Sequence, residues 1–443
     1  MKKHLIYAWI VIISMHLFAF VFQCWQGNIY TADSKDYLLK ASQLFSAENI
    51  EVKDPEFYTK RPPLYPLFIK IAKAVFASDY AVLFLQNIIS IFNFFLLFRF
   101  FSGFSKTVTV EYKYLWLLVL FTPAQAIYAN LIMAEIIFQL FVLLFVIHAS
   151  AFVAQHRLRH MLISAIFLCL AMLTKPSVYL LAPVFFAAAV YYAIKYRNAA
   201  VALTGTLPLL FAIIYMWWNM GKTGYFHFSS IQETNLLHYN TYHLLRDTKG
   251  ETEADKIIDS ITYAADEEKI FAARQKFINA ASNKIIMENP ARYAKLHLKG
   301  TVNQFLDPGR FDLYTFLGLQ KEDSAGLLNA FSARGYMGIL TYFSKQPLLL
   351  LLFLLLIFIT QGVKFFLFIK FCFTRKMSWE LRLILGGIVL FFALSTGPLG
   401  ASRFAVPVNQ IMLACCALSG FSIWKKNRDK KKDLHISPAQ KML

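Results

Sequence analysis

The chain has 443 residues, of which 58% are hydrophobic and 16% charged, whereas a soluble domain is nearer half apolar and one-quarter charged. A single soluble core is therefore excluded as a description of the whole. The formal net charge is +19, but the lysines and arginines sit in short segments between long apolar blocks, as in the inner loops of a membrane protein. That distribution argues against a nucleic-acid-binding face.

A helix needs roughly 20 mostly apolar residues to cross a hydrocarbon core of about 30 Å. Ten segments answer that description: 5–24, 80–101, 114–130, 132–153, 160–175, 177–194, 199–219, 347–371, 380–398 and 403–423. The expected fold is an all-α integral membrane protein with about ten transmembrane helices. Residues 1–24 begin with Lys2 and Lys3 ahead of an apolar run. They lack a small-residue cleavage site and read as the first crossing, with the N-terminus inside. Residues 25–79 form the first extracytoplasmic loop. There Tyr37, Leu38, Ala41, Leu44 and Phe45 make one helical apolar face. A second short amphipathic helix, Leu64–Phe76, carries Lys70 and Lys73 on one side, and both suit a membrane surface.

Residues 80–219 hold the second to seventh crossings. Residues 220–346 are too long for a simple connection and form a large extracytoplasmic loop, with helix over Asp255–Gly300 broken at Pro290. Residues 347–423 hold the last three crossings, and 424–443 are a basic cytoplasmic tail. On this topology every inner segment is basic: Lys106 and Lys113, Arg157 and Arg159, Lys195 and Arg197, Arg375 and Lys376, then the tail from Lys425 to Lys432. The cysteines, Cys24, Cys169, Cys372, Cys415 and Cys416, lie in or beside apolar blocks without metal-ligand spacing, so neither a disulfide nor a zinc site is expected.

Three groups of residues bear on chemistry. Asp33, in TADSKDYLLKA, is either an N-cap, with Asp36 three residues on in a variant capping box, or a general base just outside the first crossing. Glu135, near the outer start of a crossing, costs about 2.5–3.5 kcal/mol to insert. It is either a structural partner of a cation or a group facing a polar cavity. Lys175, Arg403, Lys60 and Arg61 sit on the outer side, where the positive-inside rule disfavours cations. They either snorkel to lipid head groups or clamp a phosphate, Arg by a bidentate fork and Lys as a point charge. The turn around Asp307 and Arg310, in QFLDPGRFD, reads as a turn. The histidines are scattered without ligand spacing.

In order along the chain, Asp33, Tyr37 and Ala41, then RPPLYPLF (Arg61–Phe68), Pro123, Tyr128 and Glu135, LTKPS (Leu173–Ser177), ENPARY (Glu288–Tyr293) and SRFAVP (Ser402–Pro407) resemble the GT-C superfamily of glycosyltransferases. The resemblance is to the group containing bacterial protein O-mannosyltransferase and lipid A aminoarabinose transferase, and it covers most of residues 1–420. It implies a bacterial inner-membrane enzyme that moves a sugar, with inversion, from a polyprenyl-phosphate donor on the extracytoplasmic side. The acceptor would be a protein, a glycan or a lipid. Carried over, Asp33 is the base and Glu135 positions acceptor or sugar, while Lys175, Arg403 and Arg61 hold the lipid phosphate, with Tyr37 and Lys60 beside them. Several relatives carry two adjacent acidic residues where this chain has Asp33 and Ser34. Some bind a divalent metal ion through paired carboxylates, and Asp33 with Asp36 is the pair this chain offers. Other classes remain: an O-antigen-type polymerase or ligase, using Arg and His of the late loop; a transporter with helices interrupted at Gly386–Gly387 and Gly397–Pro398; and a membrane scaffold without chemistry.

Overall fold

The computed structural model describes residues 2–45, 55–104, 115–319, 335–338, 347–375 and 377–419. The inner-loop Lys106, Lys113 and Lys376 and the basic tail, 424–443, lie outside them. All regular structure among the described residues is helical. The segment between α1 (Lys2–Gln26) and residue 79 gives α2 (Ala32–Gln43), α3 (Pro55–Lys60) and α4 (Leu64–Phe76). The central body holds α5 (Asp79–Ser102), α6 (Leu115–Leu120), α7 (Ala124–Ala129), α8 (Glu135–Gln155), α9 (Leu158–Thr174), α10 (Leu181–Tyr196) and α11 (Ala199–Thr223). The late loop carries α12 (Ile231–Asn235), α13 (Tyr242–Lys249), α14 (Glu251–Asp266), α15 (Phe271–Glu288), α16 (Pro290–Leu306) and α17 (Arg310–Phe316). Three helices follow: α18 (Leu348–Cys372), α19 (Trp379–Ser395) and α20 (Asn409–Leu418).

Among the described residues, six helices are long and apolar enough to cross a membrane: His4–Gln26, Asp79–Ser102, Glu135–Gln155, Pro176–Tyr196, Ala199–Thr223 and Leu348–Cys372. The other four predicted segments are present as shorter pieces. Helices α9 and α19 have 17 residues each. The last segment opens as a 3-10 helix, Ser402–Val408, containing Pro407, before α20. Segment 114–130, expected as one helix, is broken between α6 and α7. Pro123 has no N–H to give and its ring clashes with a preceding turn, so it ends one helix and caps the next. In the first loop the expected apolar face is kept at Tyr37 and Ala41, which are buried, but α2 ends before Phe45, which is exposed. The expected break at Pro290 falls at the first residue of α16, where a proline is tolerated.

Burial grades the helices. The apolar windows of α5 and α8 are 56% and 61% buried, whereas those of α1 and α18 are 22% buried. Helices α5 and α8 are therefore the centre of the bundle, and α1 and α18 turn broad apolar faces outward. Among membrane helices, cohesion comes from close packing at small residues and from hydrogen bonds, and both occur here. Gly205 of α11 meets Ala189 of α10 so closely that a Cβ would lie 2.1 Å from the alanine methyl. A buried polar file ties α1, α5, α7 and α8 together. His16 Nε2 and Ser90 Oγ are 2.8 Å apart, and Gln125 Nε2 donates to Ser90 Oγ at 2.8 Å. Gln125 and Gln139 exchange amide hydrogen bonds at 2.7 and 2.9 Å, and Asn93 Nδ2 donates to Gln139 Oε1 at 2.8 Å.

The Gly205 contact leaves no room for a side chain, while a Cβ at Gly221 meets nothing within 4 Å. Gly205→Val is expected to lower stability by about 1–3 kcal/mol, the usual cost of overpacking, and Gly221→Ala to leave it unchanged or slightly raised. Titration with sodium dodecyl sulfate in mixed micelles measures both.

Candidate functional site

The site begins with the cap of α2. The cap is Thr31, not Asp33. Ser34 supplies the return bond, accepting from the Thr31 N–H at 2.8 Å, and its hydroxyl donates to Ile132 O at 2.9 Å. Ser34 is thus the residue that fastens the start of α2 to the segment ahead of α8. Asp33, one position earlier, has its carboxylate free of capping and aimed at cations.

All seven residues singled out in the sequence come together in one chain of contacts. Lys60, at the end of α3, lies 2.9 Å from Asp36. Arg61, between α3 and α4, donates to Asp36 Oδ2 at 3.0 Å and to Asp33 Oδ1 at 2.6 Å, and its guanidinium covers the Tyr37 ring at 4.8 Å. Arg403, in the 3-10 helix ahead of α20, donates to the other Asp33 oxygen and to Glu135 Oε1 at 2.7 Å. Lys175, held in extended backbone by the proline that follows it, donates to the same Glu135 oxygen at 2.8 Å. Asp33 and Asp36 lie one helical turn apart and share Arg61 on one face of α2.

The bundle sets this geometry. Gln139, one turn deeper on α8 than Glu135, donates to Val406 O at 2.5 Å, and Val406 lies one 3-10 turn beyond Arg403. The hydrogen bond that locks α8 to the 3-10 helix therefore also sets Glu135 beside Arg403. Tyr37 packs edge-on to Tyr65, with ring centroids 4.8 Å apart, and Tyr65 donates to Gln86 Oε1 at 2.7 Å, which fixes the wall behind Arg61. The Glu135 side chain is 0% exposed, and its second oxygen, Oε2, has no hydrogen-bond partner among the described residues. A buried carboxylate oxygen without a partner is costly. Burial would raise the Asp33 carboxyl, but Arg403 and Arg61 outweigh it and hold the group well below the usual carboxylate range.

Four residues of the surroundings were not singled out for chemistry. Tyr128 donates to Asp312 Oδ1 at 2.7 Å, and Ser402 donates its hydroxyl to Asp312 Oδ2 and its N–H to Asp307 Oδ2, both at 2.7 Å. In the sequence, Asp307 and Asp312 stood out only through the QFLDPGRFD turn, and Tyr128 and Ser402 only as members of the motifs Pro123–Glu135 and SRFAVP. The late-loop cations have partners elsewhere: Arg274 meets Glu56, and Arg292 meets Asp247. His227 bonds to Thr59 and packs on Phe271, the ring that Arg274 covers. Among the described residues no three His, Cys, Asp or Glu side chains gather as a metal site. Asp33 and Asp36 do not fit a divalent ion as they stand, because Arg61 occupies the space between them. Comparison of the chain with models of known protein families, with curated proteins and with solved structures found no match.

Two expectations follow from the electrostatics. Glu135→Gln leaves Lys175 and Arg403 without their shared carboxylate, so stability should fall by about 3–5 kcal/mol, as when one partner of a buried pair is removed. Lys60→Ala, at the half-exposed rim, should cost about 0–1 kcal/mol. The same detergent titration checks the contrast. Asp33 has a depressed pKa when folded, so its contribution to stability is complete above its unfolded value of about 3.9 and is lost as pH falls through the folded value. The stability difference between wild type and Asp33→Asn should therefore be constant from about pH 7 to 5 and close only below about pH 4, as unfolding titrations across pH would show.

Proposed function

We propose that this chain is a membrane glycosyltransferase of the GT-C type, moving a sugar from a polyprenyl-phosphate donor to an acceptor on the extracytoplasmic side of a bacterial inner membrane. The supporting observation is the single network in which Asp33 lies between two guanidinium groups while Arg403 and Lys175 share the buried Glu135. Such a site combines a carboxylate, for accepting a proton, with several cations, for receiving phosphate oxygens. In this reading the chain crosses the membrane ten times, with α6 and α7 together, α9, α19, and the 3-10 helix plus α20 as the four shorter crossings. The network then lies at their outer ends, at the depth of a lipid phosphate.

The reaction is a displacement at the anomeric carbon. The acceptor heteroatom attacks that carbon from the side opposite the phosphate and forms the new glycosidic bond. The bond from carbon to phosphate oxygen breaks, and its electron pair leaves with the lipid phosphate. The acceptor proton passes to Asp33, and a positioned base of this kind contributes roughly 10²- to 10⁴-fold. Arg403, Lys175 and Arg61 stabilise the charge that develops on the leaving phosphate. The free oxygen of Glu135 accepts a hydroxyl of sugar or acceptor. As the protein rests, both Asp33 oxygens are held by guanidinium groups, which makes it a poor base. A phosphate drawing Arg403 toward itself loosens one of those bonds, so donor binding prepares the base.

The test incubates purified protein, wild type and Asp33→Asn, in nanodiscs with a panel of polyprenyl-phosphate sugars and follows free polyprenyl phosphate by mass spectrometry. Release by the wild type from one donor class, reduced at least about 10²-fold in the variant, is the expected outcome. Folded wild-type protein that releases nothing from any donor contradicts the proposal.

A further inference from the structure

The late loop reaches the network through one short turn. At the end of α16, Asp307 Oδ1 accepts the Gly309 N–H at 3.0 Å, and Oδ2 accepts the Ser402 N–H at 2.7 Å. Gly309 has φ +70, and a Cβ there would lie 3.0 Å from Ser402 Oγ, so the turn needs both the left-handed backbone and the missing side chain. In the first turn of α17, Asp312 accepts the Ser402 hydroxyl on one oxygen and the Tyr128 hydroxyl on the other, each at 2.7 Å. Ser402 is thus gripped by two carboxylates, through its backbone and through its side chain, and the next residue is Arg403.

A second set of contacts braces the same strand of chain from the other side. Gly300 of α16 packs directly on the backbone around Gly397 and Pro398, and a Cβ on Gly400 would lie 1.9 Å from Gly300 O. Asn303 Nδ2 donates to Gly400 O at 2.5 Å. Residues 397–402, which deliver Arg403 to the network, are therefore braced by α16, by the turn behind it and by Asp312 of α17.

We propose that Asp307 and Asp312 are positioning residues, which fix Ser402 so that Arg403 meets the phosphate of a polyprenyl-phosphate ligand. This rests on the function proposed above. Neither carboxylate is placed on the ligand; both act through Arg403. A guanidinium displaced by a fraction of an ångström loses the alignment that makes its fork effective. Loss of one hydrogen bond to a charged group corresponds to about a tenfold change in affinity.

The test measures equilibrium binding of undecaprenyl phosphate to full-length protein in nanodiscs, by native mass spectrometry, for wild type, Asp312→Ala, Ser402→Ala and Arg403→Gln, and for the double variants of each of the first two with Arg403→Gln. Asp312→Ala and Ser402→Ala are expected to weaken binding about tenfold, and neither should weaken it further in the Arg403→Gln background. Ser402→Ala keeps the backbone bond to Asp307 and carries the test if Asp312→Ala does not fold. Wild-type affinity in both single variants, or an equal loss with and without Arg403, overturns the positioning role and leaves the glycosyltransferase proposal intact. Absence of binding by folded wild type overturns both.

Discussion

The buried carboxylate of Glu135 is the constraint around which this end of the bundle is arranged. A carboxylate with 0% exposure is tolerated only if cations meet it within hydrogen-bond distance. Those cations come from far away in the chain, Lys175 at 40 residues and Arg403 at 268. Each is delivered by a break in helical structure. Lys175 stands in extended backbone between α9 and a short 3-10 turn, and Arg403 stands in the 3-10 stretch that precedes α20. The short and interrupted helices thus have a common cause, since a continuous helix at either place would carry its cation past the carboxylate.

From the fully buried Glu135 the network runs through Arg403, Asp33 and Arg61 to Asp36 and Lys60. Four cations face three carboxylates, which leaves one positive charge in excess, and the excess suits an incoming anion. Within such a network a phosphate competes for guanidinium groups already engaged, so binding exchanges ion pairs and adds few new ones. The cost of desolvating the cations is largely met during folding, which is the sense in which the site is prepared in advance.

Much of this was legible in the sequence. Composition and the placement of lysines and arginines gave the membrane class, and the cations that the expected topology left unexplained, Lys60, Arg61, Lys175 and Arg403, share one network with Asp33 and Glu135. The reason is physical: a charge in an apolar or outer context must be compensated, so unexplained charges find one another. Distance along the chain hid the rest. Asp312 pairs with Tyr128 across 184 residues, and no local pattern distinguishes a turn that ends a helix from a turn that holds another segment. Thr31, not Asp33, takes the cap because Ser34 stands at the third helical position, where it returns the bond. Proline broke the third predicted crossing, where hydropathy alone read through Pro123.

The central claim is that this network receives a lipid phosphate. Its most direct test is an experimental structure determined with undecaprenyl phosphate bound in a lipid nanodisc. The account predicts the phosphate in hydrogen-bond contact with Arg403 and Lys175, and one oxygen of Asp33 released from its guanidinium partner. A lipid bound elsewhere, with the pairs from Lys60 to Lys175 unchanged, would contradict it.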